Sequence, residues 1–505
     1  MIVREFKRLG LFALPLFILL YTLVSFYKFS PTVEVQTNKW TPPVQNKGEP
    51  EAGKSLPNEP PKELPQGIPA AHDISQGLPI GLPQEIPAAH DISQALPIGL
   101  PQEKPAGFGD VPPVPAPAAG FPASNDFGLG TAESTRTTHL EVFSTSTQDK
   151  KFFPIEFGEM RGMNPNIIPH PHLDNTWIIV AQEARGADEQ TVFFAEISCN
   201  AAFQNGALRC ILPATKLPIV PTTGDKCVGK LTYFNFNVGP HDARVLYGPD
   251  KPYTIYGSNS AFTCFGQWIQ DFRELVGDWV EKPGNTDFKV GTELQRPSPW
   301  GVVEKNWFPF WDGSNQMYAH YDVAPKRAFA KVNPDGSVGE DLAPQAAASD
   351  DQCFRKYMPK LPPELESIHQ ATNSLKITLC NRADPTCVAN DANTFIFTIW
   401  QHKTFYHFHG VYEPYVMLFQ QQAPFLVHAI SRKPIWIHGR QEYPERRTSD
   451  MFYVTSMNWK KKGVHYHGYL DDEIFLGFGI EDAKSGGIDV LASDLLANLG
   501  LCLDS

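Results

Sequence analysis

The sequence predicts an all-β fold, a β-propeller of four-stranded blades, on three observations. From about Thr137 onward, short aromatic and β-branched runs alternate with Gly, Pro, Asn and Asp, as strands alternate with turns. Long helical periodicity is scarce, with residues 270–279 and 492–499 the only fair candidates. Residues 137–505 make about 370 residues of this texture, large for a sandwich and suited to a propeller.

Taken in order, residues 1–8 carry Arg4, Lys7 and Arg8 and read as a cytosolic tail. Residues 9–27 carry no charge and Lys28 follows them. At about 1.5 Å per residue this run just crosses a bilayer core of about 30 Å. Val24-Ser25-Phe26-Tyr27 offers no small-residue cleavage site, so a retained signal anchor is expected. The basic flank points to the cytosol, which makes the remainder lumenal or extracellular, a type II membrane protein of the secretory pathway.

Residues 28–136 are proline-rich and poor in aromatics, and cannot bury enough apolar surface to offset their conformational entropy. Leu64-Pro65-Gln66-Gly67-Ile68-Pro69-Ala70-Ala71-His72-Asp73 recurs as Leu82-Pro83-Gln84-Glu85-Ile86-Pro87-Ala88-Ala89-His90-Asp91. Two proline-studded copies are too few to stack as a solenoid, and a semi-extended stem is expected.

Residues 137–505 form the expected lumenal propeller domain. Its expected strands are 177–182, 192–197, 230–236, 244–247, 254–257, 302–310, 316–322, 375–379, 394–400, 415–420, 425–430, 451–456 and 473–478. The chain is 42% hydrophobic and 19% charged, with a formal charge of −12 that argues against nucleic acid as a partner. The basic run Lys460-Lys461-Lys462 reads as a solvated turn. Eight cysteines, all beyond the anchor, indicate bridges in an oxidising lumen, with Cys199–Cys210 and Cys380–Cys387 the nearest pairs. No Cys-x-x-Cys spacing supports zinc or redox chemistry.

The sequence has no phosphate loop, dinucleotide fingerprint or Gly-x-Ser-x-Gly elbow, and no Asp-x-Asp by which many nucleotide-sugar transferases hold a cation. Polar and aromatic residues cluster instead in local motifs: Asn164-Pro165-Asn166, His170 to Trp177, His241-Asp242-Ala243-Arg244, Glu304 to Phe310, His407-Phe408-His409, Arg440 to Arg447, and His465 to Asp472. Their spacing is about one per blade, as if each blade sends one segment to a shared axial pocket. Asp242 and Arg244, two residues apart at the start of a strand, place a carboxylate and a guanidinium on one face. A buried turn ion pair is the structural alternative. The His-x-His pairs read as sugar-hydroxyl partners or core residues rather than metal ligands, with His172 and His467 favoured for the pocket. Trp177, Trp268 and Trp307 offer faces for sugar stacking, or simply core.

The Asp242-Ala243-Arg244-Val245 hairpin, the Glu304-Lys305-Asn306-Trp307 strand and the His467-Gly468-Tyr469-Leu470-Asp471-Asp472 turn resemble the blade signatures of five-bladed β-propeller mannoside phosphorylases and related β-1,2-mannosyltransferases. The anchored stem adds similarity to fungal Golgi β-mannosyltransferases. The phosphorylase motif reads Glu-Asp-Pro-Arg, where this chain has His241 and Ala243 in place of the Glu and Pro.

The resemblance implies five blades and an inverting transfer with Asp242 as general acid or base. It implies Arg244, Lys305 and Arg440 as partners of a leaving phosphate. His172, Asp174, His241, Asn306, Glu442, His467, Asp471 and Asp472 are the expected sugar-binding residues. Expected partners are a nucleotide-sugar donor, used without a metal or other cofactor, a glycan acceptor and the membrane. Hydrolysis or phosphorolysis, with Glu442 or Asp472 as second carboxylate, is the alternative reaction, and a non-catalytic glycan-binding propeller is the third reading.

Overall fold

The computed structural model describes residues 136–184, 192–278, 284, 286–362, 366–406 and 409–502. The expected tail, anchor and all but the last residue of the stem lie outside them. Among the described residues no helix is long and apolar enough to cross a membrane.

The fold is mostly β with few helices, and propeller-like in its pairing. Five antiparallel meanders follow one another in the described residues. The first runs Gly162–Pro169, Trp177–Glu183, Glu196–Gln204, Ala207–Cys210. The second runs His241–Tyr247, Pro252–Asn259, Phe265–Asp271, Thr292–Glu293. The third has three strands, Phe308–Trp311, Met317–Asp322 and Ala328–Lys331. The fourth runs Glu366–Thr378, Thr394–Tyr406, His409–Gln420, Val427–Ser431. The fifth runs Phe452–Trp459, Glu473–Ile480, Lys484–Leu491.

An early strand, Phe153–Glu156, ties the last meander to the first. Phe153 opposes Gly487 in antiparallel pairing, whereas Ile155 opposes Leu208 in parallel pairing. The sheet edges that would otherwise stay open at the two ends of the chain are thereby used.

The first strands of the meanders gather at a shared hub. Glu366–Thr378 pairs in parallel with His467–Tyr469 over its last three residues, and elsewhere buried side-chain amides and a hydroxyl bond the inner backbone edges that lack a ladder partner. Asn166 donates to the Ala243 carbonyl at 2.7 Å and accepts from the Val245 amide at 3.0 Å. Asn373 does the same with Met457, at 2.7 and 3.0 Å. Asn458 donates to the Val245 carbonyl and Ser374 to the Pro309 carbonyl. Leu246, Ile255, Trp311, Ile377, Phe397, Val454, Leu476 and Val490 belong to one apolar cluster that packs the second to fifth meanders against one another.

Several expected elements are corrected, among them the strand at 192–197, which begins only at Glu196. Residues 230–236 form a 3₁₀ helix, Gly229–Phe236, because the Asn235 side chain returns to both backbone groups of Cys227 and closes the loop. The expected helix at 270–279 is the end of strand Phe265–Asp271 and a short turn, where the Asp271 carboxylate takes the Arg273 amide and guanidinium. The helix expected over 492–499 stops at Leu495, and Leu499–Leu501 pairs as a strand instead. Of the expected strand 302–310, only Phe308–Trp311 is a strand. The 15-residue helix Ala343–Tyr357 carries no bulky apolar stripe. It buries Ala343, Ala346, Asp350 and Cys353, a face of small and polar residues.

Four disulfides join Cys199–Cys210, Cys227–Cys264, Cys353–Cys502 and Cys380–Cys387.

Candidate active site

Asp242 stands at the start of the second inner strand in a left-handed backbone conformation, φ 50°. Asn164 and Asn306, which begin or precede the inner strands of the first and third meanders, share that conformation with φ 57° and 65°. Such a backbone costs on the order of 1 kcal/mol outside glycine and persists where its surroundings hold it. At Asp242 the pairing register shifts between His241 and Arg244, so the carboxylate leaves the ladder and turns out of the strand.

Contacts from two other meanders hold this turn. The Gln182 side chain accepts the Asp242 amide at 3.0 Å, and Glu196 Oε1 accepts the Ala243 amide at 3.1 Å. Asn164 Nδ2 donates to Asp242 Oδ1 at 2.8 Å. Arg244 reaches back, its Nη1 donating to the Asp242 carbonyl at 2.5 Å while its Nε donates to the Ala371 carbonyl at 2.7 Å. At about 1 kcal/mol each, these bonds outweigh the backbone cost. Asn164 in turn sits over Gly479, where a Cβ would strike its Oδ1.

Charge around the turn is arranged by burial. Glu196 is fully buried, and burial lifts its carboxyl to about 8, opposed by the Ala243 amide and raised further by the charge of Asp242. At neutral pH Glu196 is mostly a neutral acid behind the Asp242 turn. Arg244 is 5% exposed, with Nη2 buried and without a hydrogen-bond partner among the described residues. Its charge therefore acts on the site at short range and through little solvent.

The walls are aromatic. Tyr453 and Tyr412 lie 4.6 Å apart between ring centroids and pack with Ala371. Burial holds the Tyr453 phenol far above its ordinary value, so it stays protonated, and it shares a hydrogen bond with the Asn306 side chain. His241 lies tilted against Phe194, at 3.8 Å between centroids and 40° between planes, and meets Phe265 edge-on at 5.4 Å. Lys305 is half-buried in the same segment as Asn306. Its neighbour Glu304 is held by Arg296 at 2.9 Å and by the Trp307 indole, a structural role.

The structure thus brings Asp242, Arg244, His241 and Asn306 to one end of the hub, and leaves other expected site residues elsewhere. His172 and Asp174 are exposed on the hairpin after Pro169, where Asp174 pairs with Lys462 at 2.7 Å. From Asn164 to His170, at about 3.3 Å per residue, that hairpin is about 20 Å away along the strand. His467, Asp471 and Asp472 also lie at that far end. His467 accepts or donates to Thr378 at 2.8 Å; Asp472 pairs with Arg382 at 2.6 Å, and Asp471 takes the Arg382 and Ala383 amides. Arg440 is committed to Glu413 and the Asp450 carbonyl and lies over the Trp436 ring, while Glu442 is exposed and pairs with Arg136. Trp177 and Trp307 are core residues, and His407 lies outside the described residues.

Glu196, Tyr412 and Tyr453 are absent from the sequence reading. Glu196 alone left a signal, a carboxylate inside the apolar run Phe193-Phe194-Ala195-Glu196-Ile197. Among the described residues no three His, Cys, Asp or Glu side chains gather as metal ligands.

No family model and no curated protein sequence matches the chain. Solved structures similar to it include a β-1,2-mannobiose phosphorylase from Listeria innocua, 11% identical over 71% of this chain and 96% of that one, TM-score 0.33. A GDP-Man-dependent mannosyltransferase from Leishmania mexicana is 9% identical over 69% and 91%, TM-score 0.32. A glycosyl hydrolase from Bacteroides ovatus is 10% identical over 73% and 95%, TM-score 0.34. At such scores the site's chemistry is read from its own residues: an oriented carboxylate, a fixed cation, a buried neutral acid and an aromatic wall.

Proposed function

We propose that the chain is a carbohydrate-active enzyme, a glycosyltransferase that moves a hexose, mannose from a nucleotide sugar, onto a glycan acceptor with inversion to a β-linkage. The observation that carries the reading is the Asp242 turn, a strained backbone braced by Gln182, Glu196, Asn164 and Arg244 so that one carboxylate leaves the ladder at the hub. In the reaction Asp242 accepts the proton of the acceptor hydroxyl. That oxygen bonds to the anomeric carbon as the bond from carbon to the phosphate oxygen breaks, and the electron pair leaves with the phosphate. Lys305 meets the departing phosphate, and Arg244 adds positive field from behind the turn. Tyr453, Tyr412 and Asn306 hold the sugar ring.

We read residues 137–505 as a five-bladed propeller. The anchor, stem and Golgi lumenal placement belong to the same proposal, supported by the uncharged run at 9–27, its basic flank and the four disulfides.

Hydrolysis or phosphorolysis of a β-glycoside is the second reading, favoured by Glu196, a carboxyl kept protonated beside Asp242. The two separate when the chain is incubated with a panel of nucleotide sugars and glycan acceptors. Nucleotide release that requires an acceptor supports transfer, and cleavage of β-mannosides without a nucleotide replaces it with the second reading.

A further inference from the structure

The far end of the hub, about 20 Å from Asp242 along the inner strands, holds a cavity of its own. Its volume is about 280 Å³, close to the lower end of small-molecule sites, and it is lined by Lys376, Arg382, His465, Tyr466, His467 and Pro249 among others. No carboxylate lines it. We propose that this cavity is a second carbohydrate site that takes one anionic sugar residue, phosphorylated or carboxylated, in preference to a neutral one.

Lys376 carries the inference. It is 8% exposed, on the inner strand Glu366–Thr378, and its ammonium donates to the Asp312 backbone carbonyl at 3.3 Å. Among the described residues it makes no ion pair within 4 Å. A buried ammonium that rests on one backbone carbonyl and on the Tyr466 ring, 5.9 Å to its centroid, has no counter-charge to offset its desolvation cost, and an anion in the cavity would supply it. Burial accordingly holds Lys376 below its ordinary value, with Asp312 and Asp391 opposing from further off. Arg382 adds a second cation, held by Asp472 and stacked 4.3 Å over the Tyr469 ring. His467 records the local field: burial, then the charges of Lys376 and Arg382, hold its imidazole down to about 4.

The neutral imidazoles suit sugar hydroxyls, since each can donate and accept. His465 is fixed by stacking on Tyr247 at 4.5 Å, and the Tyr466 hydroxyl is taken by Ser374 and the Trp311 amide, so its ring serves as wall. The His465-Tyr466-His467 motif thus has a use apart from the Asp242 end.

Calorimetric titration of the full chain with glucose 6-phosphate, glucuronate, glucose and inorganic phosphate tests the assignment. Both anionic sugars are expected to bind about tenfold tighter than glucose, and glucose 6-phosphate about tenfold tighter than phosphate alone. Lys376→Met removes the preference and Asp242→Asn leaves it unchanged. Arg382→Gln, at a side chain 43% exposed, weakens the anionic sugars about threefold and serves if Lys376→Met does not fold. In the wild type, ligand raises the titration midpoint of the His467 imidazole followed by NMR, because an anion cancels the field. Equal binding of glucose, equal binding of inorganic phosphate, a preference that survives Lys376→Met, or its loss in Asp242→Asn overturns the proposal.

Discussion

Glu196→Gln probes the buried acid behind the Asp242 turn. Glutamine keeps the shape and the acceptor for the Ala243 amide but cannot ionise. In the wild type the folded carboxyl titrates at about 8 against an ordinary 4.5, so the folded state favours the neutral form. Because the folded value is the higher one, the stability linked to this group is fully present below pH of about 4.5. It is lost progressively as the pH rises towards about 8. The difference corresponds to about 5 kcal/mol at about 1.4 kcal/mol per tenfold change in proton affinity. Denaturant titrations of both proteins from pH 5 to pH 9 isolate it, since all other titrating groups cancel in the comparison. The variant should gain on the wild type by several kcal/mol across that range. Parallel stability profiles would refute a neutral buried Glu196.

Other expectations follow from the same contacts. Gly479→Ala drives a methyl group into Asn164 Oδ1 and so frees the Asp242 carboxylate; a fall in kcat with donor affinity retained is expected in steady-state assays. Tyr412→Ala removes half of the aromatic wall and should raise the KM for the sugar, at about 1–2 kcal/mol, and, because Tyr412 is buried, should also cost about 3 kcal/mol in denaturant unfolding. Asp350→Ala strands the buried Arg327, which pairs with it at 2.6 Å, and should cost about 3–5 kcal/mol in denaturant unfolding. The double variant Arg327→Met with Asp350→Leu should recover most of that loss.

The strand texture was legible because apolar and β-branched runs between turn residues leave few other folds, and the 241–247 and 394–406 strands follow it closely. The segment 230–236 looked like a strand by composition, yet Asn235 and the Cys227–Cys264 bridge tie it into a tight loop, a tertiary constraint that periodicity does not carry. Helix 343–357 hid because its buried face is Ala, Ala, Asp and Cys. The site was half legible. A motif that opens an inner strand, such as His241-Asp242, lies at one end of the hub. Motifs that follow inner strands, such as His170 to Asp174 and His465 to Asp472, lie at the other. Residue types and spacing alike are blind to that direction, whereas strand order reveals it. Glu196 needed the fold as well, since its meaning depends on the Ala243 amide from another meander.

The central claim is that Asp242 performs the chemistry. The direct measurement compares kcat for acceptor-dependent nucleotide release in the wild type and Asp242→Asn, with donor and acceptor affinities measured separately. A loss of about 10²–10⁴-fold in kcat with both affinities retained is the predicted result. Undiminished turnover in Asp242→Asn would contradict it.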